Sequence, residues 1–220
     1  MKLQNVEQAR FNMIEQQIRP WNLADEAVLN LMSSVKREDF VPSTYKAMAF
    51  ADIEIPLTHG QNMLVPRVQA RLLQDAAVLA TDKVLEIGTG SGFMTAMLAR
   101  QAQRVISLEI NPEIAALARA NLQQAGVHNF EVRQADGAKG AAAEAPFDVI
   151  LLGGSVTEVP QVLLDQLKIG GRLVAIVGTE PIMFATVITR TDEAQFKSET
   201  KWETVAPALL NFPQATSFTF

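Results

Sequence analysis

Three glycines in the stretch VLEIGTGSGF, residues 84–93, lie between a strand-like apolar run and a helix-like run. Glycine permits left-handed backbone conformations and lets a ligand approach the main chain closely. In an open α/β sheet, a nucleotide-like ligand binds at this turn, against the free amides of the helix start. Gly88, Gly90 and Gly92 match neither the dinucleotide pattern Gly-x-Gly-x-x-Gly nor a Walker loop, which needs Gly-Lys-Ser/Thr. The loop therefore predicts a nucleotide-like cofactor of another kind.

Three acidic residues end or interrupt the strands around this loop. Glu86 lies inside an apolar strand, where an unpaired carboxylate is costly to bury. Glu109 ends the second strand, where an acid accepts hydrogen bonds from ribose hydroxyls, and Asp136 ends the third. Each acid alone could cap a loop, remain solvated or form an Asp-Gly turn. As a set, they are expected to face one crevice.

The charge of that crevice favours one cofactor. A loop built for pyrophosphate favours anions, whereas three carboxylates favour a cation. S-adenosylmethionine has no phosphate and carries an ammonium and a sulfonium. The residues therefore predict S-adenosylmethionine rather than NAD.

The elements that position these residues alternate regularly after residue 66. Strand-like segments are KVLEIG, RVISLE, NFEVRQ, FDVILL and GRLVAIV, and helix-like segments lie near 66–79, 92–101, 112–125 and 159–167, with a turn at 168–171. Such alternation predicts βαβ units and an α/β, doubly wound, mostly parallel sheet. The first 50 residues are expected to be helical, with Asp25 near a helix start, and residues 185–220 to form antiparallel strands and an aromatic tail.

The composition excludes several classes of function. A net charge of −5 argues against a large nucleic-acid interface, which needs clustered Lys and Arg. The absence of cysteine excludes disulfides, a thiolate zinc site and a cysteine nucleophile, and two distant histidines predict no metal centre. There is no membrane-length apolar run and no signal-peptide core, so we expect a cytoplasmic protein with no membrane partner.

VLEIGTGSG, SLE and QADG–APFDVILL together resemble the class I S-adenosylmethionine-dependent methyltransferases. MIEQQIRPWNLADEAVLNLMSSVKREDFVP, AFAD, the GQ pair at 60–61 and EVPQVLLDQLKIGGRLVAIVG resemble the protein-L-isoaspartate O-methyltransferases. The resemblance covers residues 10–180. It implies a Rossmann-like methyltransferase sheet and methylation of the free carboxylate of isoaspartyl residues in damaged proteins. It also implies one domain, with a helical and substrate-loop region at 1–65, a cofactor core at 66–180, and C-terminal strands and tail at 181–220.

The same resemblance implies the site. Glu86 and the loop glycines would hold the methionine part of the cofactor, Glu109 the ribose, and Asp136 with Gly137 the adenine. The loop HGQNMLVP, residues 59–66, would close over the site of methyl transfer. The cofactor-binding set is Glu86, Gly88, Thr89, Gly90, Ser91, Gly92, Glu109, Ile110, Asp136 and Gly137, and the catalytic set is Gln61, Asn62 and Ser155.

The chain departs from the family on the acceptor side. Where the family reads Gly-Gln-Thr-Ile-Ser, Asn62 replaces the threonine and Leu64 the serine. Glu54 adds a negative charge near the expected seat of an anionic acceptor. Ser155, in a Gly-Gly-Ser run after the fourth strand, could supply the missing hydroxyl or form a turn. A different acceptor, or a cofactor-binding module without catalysis, therefore remains open beside the isoaspartyl activity.

Other side chains leave two interpretations each. Arg67 could attract an acceptor carboxylate or be a solvated charge. His59 is expected to bond to backbone and His128 to lie on the surface. Four aromatic residues near the end of the chain could line a different acceptor pocket or cover the core; they are Trp202, Phe212, Phe218 and Phe220.

Overall fold

The computed structural model describes residues 3–213, with side chains from residue 5 onward. The helices are α1 (Leu3–Met13), α2 (Glu26–Ser34), α3 (Pro66–Ala76), α4 (Phe93–Gln101), α5 (Pro112–Gln124) and α6 (Gln161–Leu164). The strands are β1 (Ile55–Pro56), β2 (Asn62–Met63), β3 (Lys83–Ile87), β4 (Arg104–Glu109), β5 (Phe130–Gln134), β6 (Phe147–Val156), β7 (Leu167–Thr179), β8 (Ile182–Asp192) and β9 (Gln195–Glu203). Phe218 and Phe220, for which the sequence allowed a place in an acceptor pocket or over the core, lie outside the described residues.

The main sheet has seven strands in the order β5-β4-β3-β6-β7-β8-β9. β5 to β7 pair in parallel, whereas β8 and β9 add an antiparallel edge. The α/β, mostly parallel, doubly wound sheet with antiparallel C-terminal strands is thus confirmed. The strand order reverses between β3 and β6, and ligands bind at the carboxyl ends of strands at such a reversal.

Local sequence explains where several helices begin and end. Asp25 caps α2, because its Oδ1 accepts from Ala27 N at 2.8 Å, as predicted. Asn111 Oδ1 caps α5 in the same way. α3 ends at Ala76 rather than near 79, because Ala77 adopts a left-handed conformation with φ 44°.

Three predicted boundaries after β5 are wrong. β6 continues to Val156, so Ser155 lies in a strand rather than in a turn. α6 has four residues instead of spanning 159–167. Residues 168–171 bulge within β7, because Leu167 pairs with Phe147 and Arg172 pairs with Val149.

The N-terminal region packs on the helix face of the sheet next to the glycine loop. Phe40 is buried and meets Phe93, the first residue of α4, edge-on at 5.6 Å between ring centroids. Met13, Ile18 and Met32 are fully buried in the same core. The N-terminal region, which the sequence predicts to be helical, therefore packs against the start of α4, directly after the glycine loop. Within residues 3–213, no helix is long and apolar enough to cross a membrane.

Candidate functional site

The glycine loop connects β3 to α4 in a conformation that favours glycine. Gly88, Gly90 and Gly92 have φ of 88°, 53° and 88°, all in the left-handed region. A Cβ added at Gly88 would lie 2.8 Å from Cδ2 of Leu209. The loop is fixed to β4, since Gly88 N donates to Leu108 O at 2.8 Å.

Glu109 lies at the carboxyl end of β4, with 6% of its surface exposed. Its Oε2 accepts from Gly90 N at 3.0 Å, and its Oε1 accepts from Asn111 N at 3.0 Å. Each carboxylate oxygen retains a free lone pair. The carboxylate lines a pocket together with Ile110 and Gly137, which we name the Glu109 pocket.

Glu86 does not face that pocket. It is fully buried, and its Oε2 accepts from Thr95 Oγ1 at 2.5 Å and Ser107 Oγ at 2.7 Å. Ser107 Oγ also lies 2.6 Å from Thr89 Oγ1, in the glycine loop. The expectation that all three acids face one crevice is therefore wrong for Glu86, since this side chain projects beneath the loop. Its Oε1 has no hydrogen-bond partner.

The buried environment perturbs the titration of Glu86. Burial raises the pKa of its carboxyl to about 7, against the lowering effect of the hydrogen bonds from Thr95 and Ser107. The negative charge of Glu109 raises it further. A substantial fraction of Glu86 is consequently protonated near neutral pH.

Asp136 and Gly137 follow β5 at the same edge of the sheet. Asp136 Oδ1 accepts from Ala138 N at 3.0 Å, and Asp136 Oδ2 accepts from Asn211 Nδ2 at 3.4 Å. Gly137 is buried against Ile87, whose Cγ2 would lie 2.2 Å from an added Cβ. Asp136 thus shapes the turn, while Gly137 forms part of the Glu109 pocket wall.

A second pocket adjoins the first at Gly88, and we name it the Asn62 pocket. Its lining joins the loop before α3 to the glycine loop and α4, and includes Asn62, Leu64, Gln69, Gly88, Thr89, Gly90, Ser91, Phe93 and Gly153. Gln61 lines the Glu109 pocket. The segment 59–66 therefore crosses both pockets, which agrees with the expectation that it closes over the site.

His59 connects this segment to α5. It has a left-handed φ of 57°, and its Nε2 lies 2.9 Å from Glu113 Oε2 at the start of α5. The expected bond from His59 to backbone is replaced by this side-chain contact. His128 is exposed, as predicted.

The charged residues beside the Asn62 pocket are paired. Asn62 Nδ2 donates to Glu54 Oε2 at 3.1 Å. Burial raises the pKa of Glu54, the bond from Asn62 lowers it, and the charge of Glu180 raises it. Arg67 forms an ion pair with Asp52, and its guanidinium lies 4.5 Å from the centroid of the Trp21 ring. Arg67 is therefore neither a free charge available to an acceptor carboxylate nor a solvated charge.

Ser155 lies apart from both pockets. It is buried, and its Oγ donates to Ala206 O at 2.8 Å. Its backbone also pairs with the C-terminal segment, since Ser155 N donates to Pro207 O at 2.8 Å and Leu209 N donates to Ser155 O at 2.8 Å. The geometry favours an anchoring role for Ser155 over the catalytic role expected from the sequence.

The C-terminal segment contributes side chains to the Glu109 pocket. Leu209 and Leu210, which the sequence did not assign, line this pocket, and so does the buried Phe212, one of the four aromatic residues considered from the sequence. Trp202 packs in the core and donates from Nε1 to Asp75 Oδ2 at 2.7 Å, so it covers the sheet rather than an acceptor. The apolar pair at 209–210 was a visible signal, but its placement depends on pairing with β6.

Comparisons with known proteins agree with this geometry. The family model described as protein-L-isoaspartate(D-aspartate) O-methyltransferase matches residues 8–207. A protein-L-isoaspartate O-methyltransferase of Koribacter versatilis is 41% identical over 181 residues, covering 82% of each chain. One of Methanoculleus marisnigri is 44% identical over 169 residues, covering 77% of each.

Solved structures share the fold. A Plasmodium falciparum protein assigned to the protein-L-isoaspartate O-methyltransferases, in complex with S-adenosyl-L-homocysteine, has a TM-score of 0.78 at 19% identity and covers 92% of this chain and 97% of its own. Another protein-L-isoaspartate O-methyltransferase has a TM-score of 0.79 at 22% identity, covering 93% of this chain and 65% of its own. From the glycine loop, the acid at the end of β4 and the match over residues 8–207, the chain belongs to the protein-L-isoaspartate(D-aspartate) O-methyltransferase family.

Proposed function

We propose that this protein transfers a methyl group from S-adenosylmethionine to the free carboxylate of isoaspartyl residues in proteins. The observation that carries the proposal is the cofactor half of the site. Three glycines with left-handed backbone conformations lie where the strand order reverses between β3 and β6. The Glu109 carboxylate lies beside them, and each of its oxygens has a free lone pair. Family membership gives the reaction type.

The residues present fit a cationic cofactor. Glu109 supplies acceptors for ribose hydroxyls, and Gly137 forms the pocket wall near Ile110, where a flat base would lie. Glu86 is buried beneath the loop, and a positive charge bound above it would favour the ionised form of this carboxyl. When bound, S-adenosylmethionine supplies an electrophilic methyl group on a sulfonium. We assign Thr89 and Ser91 to the loop that holds its methionine part, with Gly88, Gly90 and Gly92.

The acceptor chemistry needs no strong base. A carboxylate with an ordinary pKa near 4 is already ionised at neutral pH, so it attacks without losing a proton to the protein. The protein then has to align two reactants and exclude water. We assign these tasks to Gln61 and Asn62, which line the two pockets from the segment above them. Ser155 takes no part, because its hydroxyl is bound to Ala206 O.

The test compares two peptides that differ only in one linkage. Methyl transfer to an isoaspartyl peptide should exceed transfer to its aspartyl isomer by orders of magnitude. Glu109→Gln should weaken the reaction through cofactor binding, while the exposed Glu7→Gln is the matched control. Equal or absent transfer to both peptides would overturn the proposal.

One observation favours a second candidate. Leu64, 5% exposed, lines the Asn62 pocket where the family carries a serine. A more apolar wall suits an acceptor other than an isoaspartyl peptide. In that case the protein binds S-adenosylhomocysteine tightly, is inactive on isoaspartyl peptides, and forms S-adenosylhomocysteine from S-adenosylmethionine only with another acceptor. Binding without turnover on any acceptor would instead indicate a cofactor-binding module.

The remaining expectations follow from the same proposal. Its partners are proteins that carry isoaspartyl residues, and its site of action is the cytoplasm. We also propose one domain over residues 1–220. Limited proteolysis should then give no separable fragment, and fractionation should recover the protein with cytosolic markers.

A further inference from the structure

A buried arginine stands behind the Asn62 pocket without a carboxylate partner. Arg37 is fully buried, and among residues 3–213 it forms no ion pair. Its Nε donates to Ala49 O at 3.1 Å, its Nη2 donates to Leu64 O at 2.9 Å, and its Nη1 donates to Gln69 Oε1. All three acceptors are neutral. Burial lowers the pKa of Arg37 to about 9, which leaves it charged at neutral pH.

The contact with Arg37 fixes the orientation of the Gln69 side chain. A guanidinium has only donors, so it must face the amide oxygen and leave the Nε2 donors pointing elsewhere. Gln69 lines the Asn62 pocket, and 6% of its surface is exposed. Within the described part of the chain, its Nε2 has no hydrogen-bond partner. The guanidinium lies 5.2 Å from the centroid of the Phe93 ring, and no carboxylate of the described residues neutralises it. The pocket therefore presents an oriented N–H donor backed by a positive charge without a counter-ion.

A purely structural role would favour a different residue at this position. Glutamate has the same shape as glutamine and would neutralise Arg37 with a charge-assisted bond. The glutamine leaves the buried cation without a counter-ion, which is costly for folding alone. Such an arrangement is suited to an anion that arrives with a ligand.

We propose that Gln69 binds a carboxylate in the Asn62 pocket and that Arg37 is the positioning residue that orients it. The inference rests on the proposed function, in which two carboxylates reach this pocket. One belongs to the amino-acid end of the cofactor, and the other is the isoaspartyl group. Both share the chemistry that an oriented amide donor recognises.

The deciding variant is Gln69→Glu, which preserves shape, pairs with Arg37 and turns the donor into an anion. Calorimetry with S-adenosylhomocysteine and with methylthioadenosine, which lacks the carboxylate, tests the cofactor source. The KM for an isoaspartyl peptide at saturating cofactor tests the acceptor source. Gln123→Glu on the exposed face of α5 is the matched control for net charge.

We expect Gln69→Glu to weaken one carboxylate ligand by at least about ten-fold. Its unfolding temperature should stay equal or rise, and methylthioadenosine should bind as in the wild type. An unchanged affinity of the variant for S-adenosylhomocysteine, together with an unchanged KM for the isoaspartyl peptide, would overturn the inference. If the wild type itself shows no turnover, an unchanged affinity for S-adenosylhomocysteine would overturn it alone. Wild-type binding of S-adenosylhomocysteine without transfer to isoaspartyl peptides would instead overturn the proposed function.

A double-mutant cycle tests the positioning role of Arg37. Arg37→Lys keeps the charge but loses the forked contact with Leu64 O and Gln69. Introduced into the wild type, Arg37→Lys should raise whichever constant Gln69→Glu raises, either the dissociation constant of S-adenosylhomocysteine or the KM for the peptide, and leave kcat at saturation unchanged. Introduced into Gln69→Leu, it should cause no further loss of affinity. An equal loss of affinity in both backgrounds would show that Arg37 does not act through Gln69.

Discussion

Replacement of Glu86 by glutamine tests how the buried carboxyl is accommodated under the glycine loop. Burial raises its pKa from 4.5 to about 7, a shift equivalent to about 3 kcal/mol. The folded state binds the proton more tightly than the unfolded state. Stability from this group is therefore fully present below about pH 4.5 and is lost as the pH rises through about 7.

Glu86→Gln should remove this pH dependence. The amide can accept from Thr95 and Ser107, but its NH₂ group then occupies the position of the unpartnered Oε1. The protonated acid likewise leaves its O–H at Oε1 without an acceptor, so the variant should be about as stable as the wild type at pH 5. It should be more stable than the wild type at pH 8, where the wild type buries a charge.

Urea unfolding between pH 5 and 8 provides the measurement. The difference in free energy of unfolding between wild type and variant should change by about 2.5 kcal/mol between pH 5 and pH 8, because the unfolded-state pKa lies just below this range. Subtraction removes the contributions of both histidines. Glu7→Gln, an exposed position, should show no such change. A difference that stays constant with pH would refute a carboxyl held protonated by burial.

Three further predictions concern the pockets. Gly88→Ala should cost about 1–2 kcal/mol from its left-handed φ and displace Leu209, so calorimetry should show weaker binding of S-adenosylhomocysteine. Glu109→Gln should raise the same dissociation constant by about 10–100-fold, because a charged acceptor is lost. His59→Ala removes an exposed contact with Glu113, so stopped-flow should show cofactor release accelerated by less than about five-fold.

Local signals in the sequence predict most of the cofactor half. Strand β3 is a continuous apolar run, the loop glycines mark its end, and Asn111 starts α5 with a capping side chain. These features depend on residues that are neighbours in the chain. The position of Glu109 follows from them, because parallel strands end at one edge of the sheet.

The acceptor half depends on contacts between distant segments. Ser155 lies in a strand because its backbone pairs with Ile176 of β7 on one side and with Pro207, about 50 residues later in the chain, on the other. Arg37 lies in the charged run KRED, which is typical of a solvated surface, yet it is enclosed by Leu64 and Gln69. Glu86 projects beneath the glycine loop rather than into the crevice. The alternation of side chains along β3 does not show which face of the sheet Glu86 lies on, so the sequence could not distinguish these two positions.

The most direct test of the central claim is the fate of a labelled methyl group. After incubation with labelled S-adenosylmethionine, the isoaspartyl peptide should carry label that mild base releases as methanol, because a carboxyl methyl ester is base-labile. The aspartyl isomer should carry none. Label that withstands base, or equal labelling of both peptides, would contradict a carboxyl methyltransferase specific for isoaspartyl residues.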